Sequence, residues 1–434
     1  MGVRSSVLLP LPLLSLVIVD EEHENSFKQA DSAPRYHGRD TAVMLAALCG
    51  AKTLLGSATP SVESYFNAAT GKYGLVTLAE RYGGAVLPRV IVSDTLRAAK
   101  RGEKRSHFNK VLLDRIGEAL QAGSQAILFQ NRRGFSPYVE CGHCGWTANC
   151  PDCNVSLTYH KSDGSLRCHY CGYRIPVPAV CPSCGTGSLL PRGFGTEKIE
   201  QELAAIFPEA AIDRLDADTS QSAGGYRRIV EAFEQGRTDI LIGTQIVTKG
   251  FDFGGVSLVG ILNADNLLNY PDFRAGERAF QLMTQVGGRA GRRSEPGTVV
   301  IQTAQPQHPV IEQVLRGDYG AMVRSQLAER RAFFYPPYCR LIAVVMRHRD
   351  KELLWRAAGA FAGSAREVFG RRLLGPEAPP VDRIRGRFLV RFLLKIERQS
   401  PSAEAKRLLQ ELFDRLHART EFRSVEVAAD VDPM

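Results

Sequence analysis

The chain has 434 residues, room for about three domains at roughly 150 residues each. Its 44% hydrophobic and 23% charged residues exclude a disordered or low-complexity polypeptide. Lys and Arg number 55 against 46 Asp and Glu, a formal +9 that admits polyanionic partners without requiring them.

Residues 7–19 (VLLPLPLLSLVIV) form an apolar run of 13 positions. It is too short for a membrane-spanning helix and contains two prolines. The acidic Asp20-Glu21-Glu22-His23 that follows is no signal-peptide cleavage site. The opening MGVRSS fits the myristoylation pattern of Gly2 with Ser6, a string with many chance matches. The run reads instead as a loop followed by a buried strand, Leu16 to Val19, of the kind parallel sheets use.

The same pattern of strand and then polar loop recurs at Lys52–Leu55, Ala126–Phe129, Ile240–Ile242, Leu258–Leu262 and Thr298–Gln302. Helical patterns lie between, as at Lys110–Ala122, Glu197–Ala205 and Tyr226–Gln235. Short apolar strands alternating with amphipathic helices predict an α/β fold with parallel sheets. Functional residues then gather beyond the carboxyl ends of the strands. Two α/β segments are visible, about 1–80 and 90–315, the second interrupted by a cysteine-rich stretch. After about 320 the pattern becomes α+β: a strand at Leu341–Met346, a helix at Leu353–Val368 and a single strand with one cationic face at Arg383–Lys395.

The strand end Asp20–His23 suits phosphoryl transfer, in which a carboxylate holds Mg²⁺ and a second group orients water. Asp20 is the candidate metal ligand, Glu21 the candidate water-polarising group, and His23 a reporter of the γ-phosphate. Ser57-Ala58-Thr59, taken alone, is an ordinary polar strand end. Gln285–Arg292 (QVGGRAGR) is more specific. Arginines three apart share a helix face, and Arg289 and Arg292 would neutralise charge on a transferring phosphate, with Gln285 beside them. Thr244 and Lys249 are candidate DNA contacts, and Gly250 and Asp252 join Arg289 and Arg292 as candidate nucleotide contacts.

Eight of the ten cysteines form four C-x₂-C pairs: Cys141/Cys144, Cys150/Cys153, Cys168/Cys171 and Cys181/Cys184. Each pair presents two thiolates to one tetrahedral metal, so four pairs predict two closed, structural Zn²⁺ sites. Disulfides are disfavoured in a reducing compartment. Three pairings are possible; joining Cys150/Cys153 to Cys168/Cys171 leaves 14 residues between, close to zinc-ribbon spacing. Cys49 and Cys339 read as buried apolar residues, and His143, His160 and His169 as surface or DNA-facing. Arg167, His169, Tyr170, Tyr173 and Arg174 give the module a basic and aromatic character suited to strand separation or partner docking. Eight thiolates outweigh two Zn²⁺, so the loaded chain is less basic than its formal charge.

GVRSS, DEEH, GSATPS, NRRGF, the eight cysteines, GFGTEKIEQEL, GTQIVTKG, PDFRAGERAFQL, QVGGRAGR and the closing DVDP occur in this order. With them the chain resembles superfamily 2 helicases and, within these, the primosomal protein N′ family of replication-restart helicases. The resemblance implies RecA-like lobes, the first incomplete, with an inserted binuclear zinc module and a C-terminal α+β domain. The implied division is a partial first lobe over 1–85, a second lobe over 86–320 with the zinc insertion at 140–186, and a C-terminal domain over 321–434. It favours the nested zinc pairing, Cys141/Cys144 with Cys181/Cys184 and Cys150/Cys153 with Cys168/Cys171; the interleaved pairing is the rival. It implies ATP with Mg²⁺ as cofactor and 3′→5′ translocation on DNA. It also implies binding of forked DNA and of single-stranded/duplex junctions, primosome proteins and the replicative helicase loader as partners, single-stranded DNA-binding protein, a monomeric state and a bacterial cytoplasmic, nucleoid-associated location. The stretch after DEEH resembles that family's aromatic-rich loop and holds Phe27, Lys28, Arg35, Tyr36, His37 and Arg39, whose aromatics would stack on bases while the cations meet phosphates.

The chain departs from the family pattern at Asn263, where an acidic residue usually precedes the aspartate matched by Asp265, and at Gly287, usually Ala. No G-x-x-x-x-G-K-[ST] phosphate loop occurs in the sequence. As it stands the chain is therefore expected to bind ATP poorly and hydrolyse almost none. A non-enzymatic DNA-binding and primosome-docking fragment with structural zinc is the alternative.

Overall fold

The structure, a computed structural model, describes residues 2–11, 13–29, 33–78, 80, 88–130, 138–160, 163–192, 196–215, 223–244, 253–291 and 296–434. The chain divides into two compact units: residues 1–76, 169–173 and 325–434 form the first, and 77–168 with 174–324 the second.

The first unit begins with β1 (Leu16–Val19), α1 (Gly38–Leu48), β2 (Lys52–Leu55) and α2 (Val62–Ala69). β1 and β2 pair in parallel, Leu16 opposite Lys52 and Val19 opposite Leu55. The strand at 16–19 forms as its β-branched residues require, but it is not buried. Leu16 and Ile18 are 53% and 62% exposed and Leu54 is 55% exposed. A parallel pair needs cover on both faces to be enclosed; among the described residues only Val19 of β1 is buried.

The C-terminal part is an antiparallel sheet. Its long strand Cys339–His348 pairs with Arg387–Glu397 on one side and Glu426–Val431 on the other. Helices Lys351–Phe369 and Ser402–Ala418 bury Leu354, Phe361 and Leu412 against Val344, Met346 and Phe392. The cationic run 383–395 is a hairpin and not the single expected strand. Arg383–Ile384 turns at Arg385 and Gly386, both with positive φ, and pairs back on Arg387–Phe388. Gly386 supplies the left-handed conformation that reverses the chain, which the alternation of charge and apolarity concealed.

The N-terminal and C-terminal parts of this unit meet through charge and aromatic rings. Arg330, whose side chain is 1% exposed, places Nη1 3.3 Å from Glu63 Oε1 on α2 and donates to Pro336 O at 3.2 Å. Phe66 meets Tyr338 edge-on at 5.5 Å, and Arg398 lies over the Phe66 ring.

The second unit is built on a six-stranded sheet in the order Ile212–Leu215, Ile240–Gly243, Gln125–Phe129, Val256–Ile261, Thr298–Thr303 and Arg89–Asp94. Every neighbouring pair is parallel. The central strand Gln125–Phe129 is buried throughout, and helix Lys110–Gln121 packs Leu112 and Ile116 onto the same core as Leu128, Ile242 and Val300. Tyr138–Cys141 pairs antiparallel with Leu189–Arg192, a two-stranded stem that carries the cysteine-rich insertion. No helix among the described residues is long and apolar enough to cross a membrane.

Arg330→Ala leaves Glu63 without its cation and opens a gap where a large side chain is enclosed. Because Glu63 keeps some access to water, the loss is expected near the low end for a broken buried pair, about 3 kcal/mol. Urea denaturation followed by circular dichroism, with Arg330→Lys retaining part of the stability, checks this; an unchanged transition would count against it.

Candidate functional site

The chain leaves β1 through a turn that splits Asp20–His23 into two pairs. Asp20 is exposed, and its Oδ1 accepts a hydrogen bond from Glu21 N at 2.9 Å. Glu21 has φ of 49°, the left-handed region that a side chain normally avoids, and strain of this kind is concentrated at functional turns. The carboxylate Oε2 of Glu21 is enclosed with no hydrogen-bond partner and lies 3.6 Å from His23 Nδ1.

Glu22 and His23 face inward. His23 Nδ1 lies 2.7 Å from Ser57 Oγ, which also accepts from Thr59 N at 3.0 Å. The Ser-Ala-Thr segment is thus the direct partner of the acidic strand end. Glu22, 1% exposed, is fully engaged. Its Oε1 accepts from Ser61 N at 2.6 Å, and its Oε2 from Ser64 Oγ and Arg39 Nη1, both at 2.8 Å. Ser61 also caps α2, accepting from Ser64 N. Burial works against the Arg39 charge, but the carboxylates of Asp40 and Glu22 outweigh it and hold the guanidinium ionised. The sequence gives no role to Glu22, Ser61 or Ser64 and reads Arg39 as a phosphate contact, although Ser61-x-Glu63-Ser64 before an apolar stretch is a legible helix start.

The cysteines gather into two sets, Cys141/Cys144/Cys181/Cys184 and Cys150/Cys153/Cys168/Cys171, with the sulfurs of each set within 4.8 Å of one another. The nested pairing is therefore the one adopted. In the first set Cys141 and Cys184 sulfurs are 3.6 Å apart and those of Cys144 and Cys181 3.7 Å. Tetrahedral Zn–S bonds of about 2.3 Å place sulfurs about 3.8 Å apart, so the cage fits that ion. Without a metal the thiols cannot ionise together. Burial opposes ionisation of Cys141, but hydrogen bonds from Thr186 and from the amides of Cys144 and His143 pull it down to about 6. Burial and its hydrogen bonds to neighbouring sulfurs push Cys144 up to about 12. A bound cation resolves that conflict by stabilising every thiolate.

One local rule shapes all four hairpins. The residue after each second cysteine, Gly145, Asn154, Gly172 or Gly185, has positive φ. Glycine and asparagine are the residues that tolerate it, and the turn lets both sulfurs of a pair face one point.

Three stretches match known families. Residues 150–176 match the PriA DNA helicase Cys-rich region (CRR) domain, 195–294 the helicase conserved C-terminal domain, and 331–434 the primosomal protein N C-terminal domain. The replication restart protein PriA of Bacillus subtilis (strain 168) is 38% identical over 434 residues, covering 100% of this chain and 53% of its own length. The chain is a PriA homologue. The PriA of Treponema pallidum is 40% identical over 438 residues, covering 100% of this chain and 64% of its own length. That of Chlamydia trachomatis is 43% identical over 346 residues, covering 79% and 46%. The chain spans about half the length of the curated relatives it matches. In PriA terms the parallel six-stranded sheet belongs to a RecA-like helicase lobe, followed in sequence by the PriA C-terminal domain and interrupted by the cysteine-rich module.

Several residues singled out by sequence lie differently from expectation. Helix Ala275–Gly287 ends at the paired glycines, so Arg289 sits in the turn beyond it, its N donating to Val286 O. Arg292 lies outside the described residues, as do Lys249, Gly250 and Asp252. Gln285 remains on the helix, half-buried. Thr244 is buried at the end of strand Ile240–Gly243. Asp265 is buried too, accepting from Thr303 Oγ1 and Ala304 N, a structural use of that carboxylate. Phe27, Arg35 and Tyr36 are partly exposed, whereas Lys28 is buried and ion-paired with Asp430. His169 and Tyr170 do not face outward. His169 Nδ1 lies 2.6 Å from Ala378 O, and Tyr170 packs edge-on to Tyr335 with Arg391 over its ring. Arg174 pairs with Asp163 at 2.9 Å. Cys339 is buried as expected, but Cys49 is exposed near the end of α1.

Two outcomes are expected. Metal analysis of anaerobically purified protein gives two zinc ions per chain, and Cys181→Ser retains only the one held by the inner set. Burial first, and the Arg39 charge next, lower His37 to about 4, against about 6.5 when unfolded. The unfolded state therefore binds the extra proton, and stability is lost as pH falls from about 6.5 towards 4. Unfolding midpoints across this window should drop more steeply for the wild type than for His37→Gln.

Proposed function

We propose that this chain carries most of the motor and nucleic-acid apparatus of a replication-restart enzyme: an ATP-dependent 3′→5′ DNA helicase that binds stalled-fork DNA and helps load the replicative helicase. The observation that carries the reading is the junction of Asp20–His23 with the Ser57–Thr59 segment through His23 and Ser57, in a chain homologous to PriA along its length. ATP hydrolysis needs an acidic strand end poised to feel phosphate and able to pass that change into a neighbouring segment. Among the described residues Asp20 accepts only the Glu21 amide, while Glu21 keeps one enclosed acceptor open. That surplus of negative charge fits a divalent cation.

In this reading Asp20 would hold the magnesium of a bound nucleotide, which supplies charge neutralisation at the phosphates. Glu21 orients water, and His23 relays the state of the site to Ser57. Gln285, Arg289 and Arg292 are the further catalytic residues of the proposal, and Gly250 and Asp252 its nucleotide contacts. Glu22 positions the others by anchoring to Arg39, Ser61 and Ser64. Phe27, Lys28, Arg35, Tyr36, Thr244 and Lys249 would meet DNA. An open cleft of about 590 Å³ lined by Asp94, Arg97, Lys100, His143 and Gln305 adds a polar surface in the second unit. The cysteine sets hold structural zinc, and primosome proteins, the helicase loader and single-stranded DNA-binding protein are the proposed partners. The domain division at about 85 and 320 belongs to the same reading.

Residues 1–434 contain no phosphate-cradling glycine loop of the Walker type, so the chain alone is proposed to bind DNA without appreciable hydrolysis. Two assays check this. DNA-stimulated phosphate release by residues 1–434 should not exceed that of Asp20→Asn. Binding of a single-stranded oligonucleotide should be detectable and should weaken steeply with salt. Robust turnover would overturn the ATPase-poor assignment, and no DNA binding would overturn the nucleic-acid assignment.

A further inference from the structure

Residues 25–29 and 33–37 include Phe27, Lys28, Arg35 and Tyr36, and they are tied down twice. Lys28 and His37 form an antiparallel bridge, with Gln29 N donating to Tyr36 O at 2.9 Å. The second tie is electrostatic and reaches the other end of the chain. The Lys28 side chain is 3% exposed; its Nζ lies 2.7 Å from Asp430 Oδ1 and donates to Val431 O at 2.6 Å. Arg35 Nη1 donates to Ala429 O at 3.4 Å. These three acceptors are consecutive residues of strand Glu426–Val431. Both cations of the segment thus rest on a row of oxygens, one of them anionic, which is what a phosphate backbone also presents.

We propose that Asp430 is an internal stand-in for a nucleic-acid phosphate: it holds Lys28 while the chain is free, and an arriving strand takes Lys28 over and frees the 25–37 loop from the C-terminal strand. The inference rests on the reading of this loop as a DNA contact. Its physical basis is the cost of leaving an ammonium enclosed without a counter-charge. Trading one anion for another keeps Lys28 paired throughout, whereas opening it with nothing incoming does not. Release is therefore conditional on a polyanion. Asp430, 17% exposed at its side chain, can rehydrate once Lys28 leaves. The C-terminal domain in this way registers whether the loop is loaded.

The test is fluorescence anisotropy of a short labelled oligodeoxythymidylate with the 434-residue chain, titrated at several salt concentrations. Asp430→Asn should bind severalfold tighter than wild type at equal salt, because the competing carboxylate is gone, and Asp430→Glu should stay near wild type. Lys28→Met should lower the slope of log K against log salt by about 0.7, the share of one phosphate contact on a single strand. In the Lys28→Met background, Asp430→Asn should change nothing. Hydrogen exchange of the 25–37 amides should quicken on adding DNA to wild type and be fast from the start in Asp430→Asn. Equal affinities for Asp430→Asn and wild type, or the same gain without Lys28, overturn the exchange while leaving DNA binding intact. No binding by wild type brings down the nucleic-acid reading and the exchange with it. Should Asp430→Asn fail to fold, an unaltered salt slope in Lys28→Met still overturns the proposal.

Discussion

A cation withdrawn from water must find its counter-charge within a few ångströms, and in the first unit that requirement fixes three pairs, two of which join segments far apart in the sequence. Lys28 is matched by Asp430, Arg330 by Glu63 and Arg39 by Glu22. Desolvation costs several kcal/mol per ion, so none of these side chains can sit where it does unless its partner is also in place. The acidic strand end depends on the same rule. Glu22 is held by Arg39 and by the two serines at the start of α2, and that helix carries Glu63 to Arg330 beside the C-terminal domain. A continuous series of paired charges and hydrogen bonds therefore runs from the residues after β1 to the antiparallel sheet.

The zinc module obeys a different constraint, geometric and local. Two thiolates separated by two residues converge only if the chain folds back at once, and the positive φ after each second cysteine does this four times. Spacing and the following Gly or Asn are both visible in the sequence, which is why the ligands are legible there. Which pairs combine is a matter of longer range, set by the stem that brings Cys141 next to Leu189 and hence its hairpin near Cys181 and Cys184.

The parallel sheet was read nearly as it stands, because strands buried on both faces leave continuous apolar runs such as Ala126–Phe129. The errors share a cause: burial of a side chain by residues far away in sequence. Lys28 is enclosed beside Asp430, a partner that nothing near it in sequence announces. His169 and Tyr170 looked outward-facing because their cover is Ala378, Tyr335 and Arg391. Conversely, Leu16 and Ile18 carry the composition of an enclosed strand and are largely exposed. Two errors were local and avoidable: Gly287-Gly288 stops a helix ahead of Arg289, and Gly386 turns a long cationic run into a hairpin.

The partition of the chain has a consequence for its synthesis. The second unit is nearly continuous in sequence, so it can fold as it leaves the ribosome, whereas the first needs residues 1–76 to meet residues 325–434. The bond from Lys28 to Val431 spans 403 positions. At bacterial elongation rates of about 5–20 residues per second, the opening segment waits on the order of tens of seconds for its partner strand. Throughout that interval Lys28 is hydrated and Phe66 lacks the cover of Tyr338 and Arg398, so this early segment is an attractive client for chaperones. Slowing translation, or stalling it before codon 430, would lengthen that exposure without altering a single residue of the finished protein.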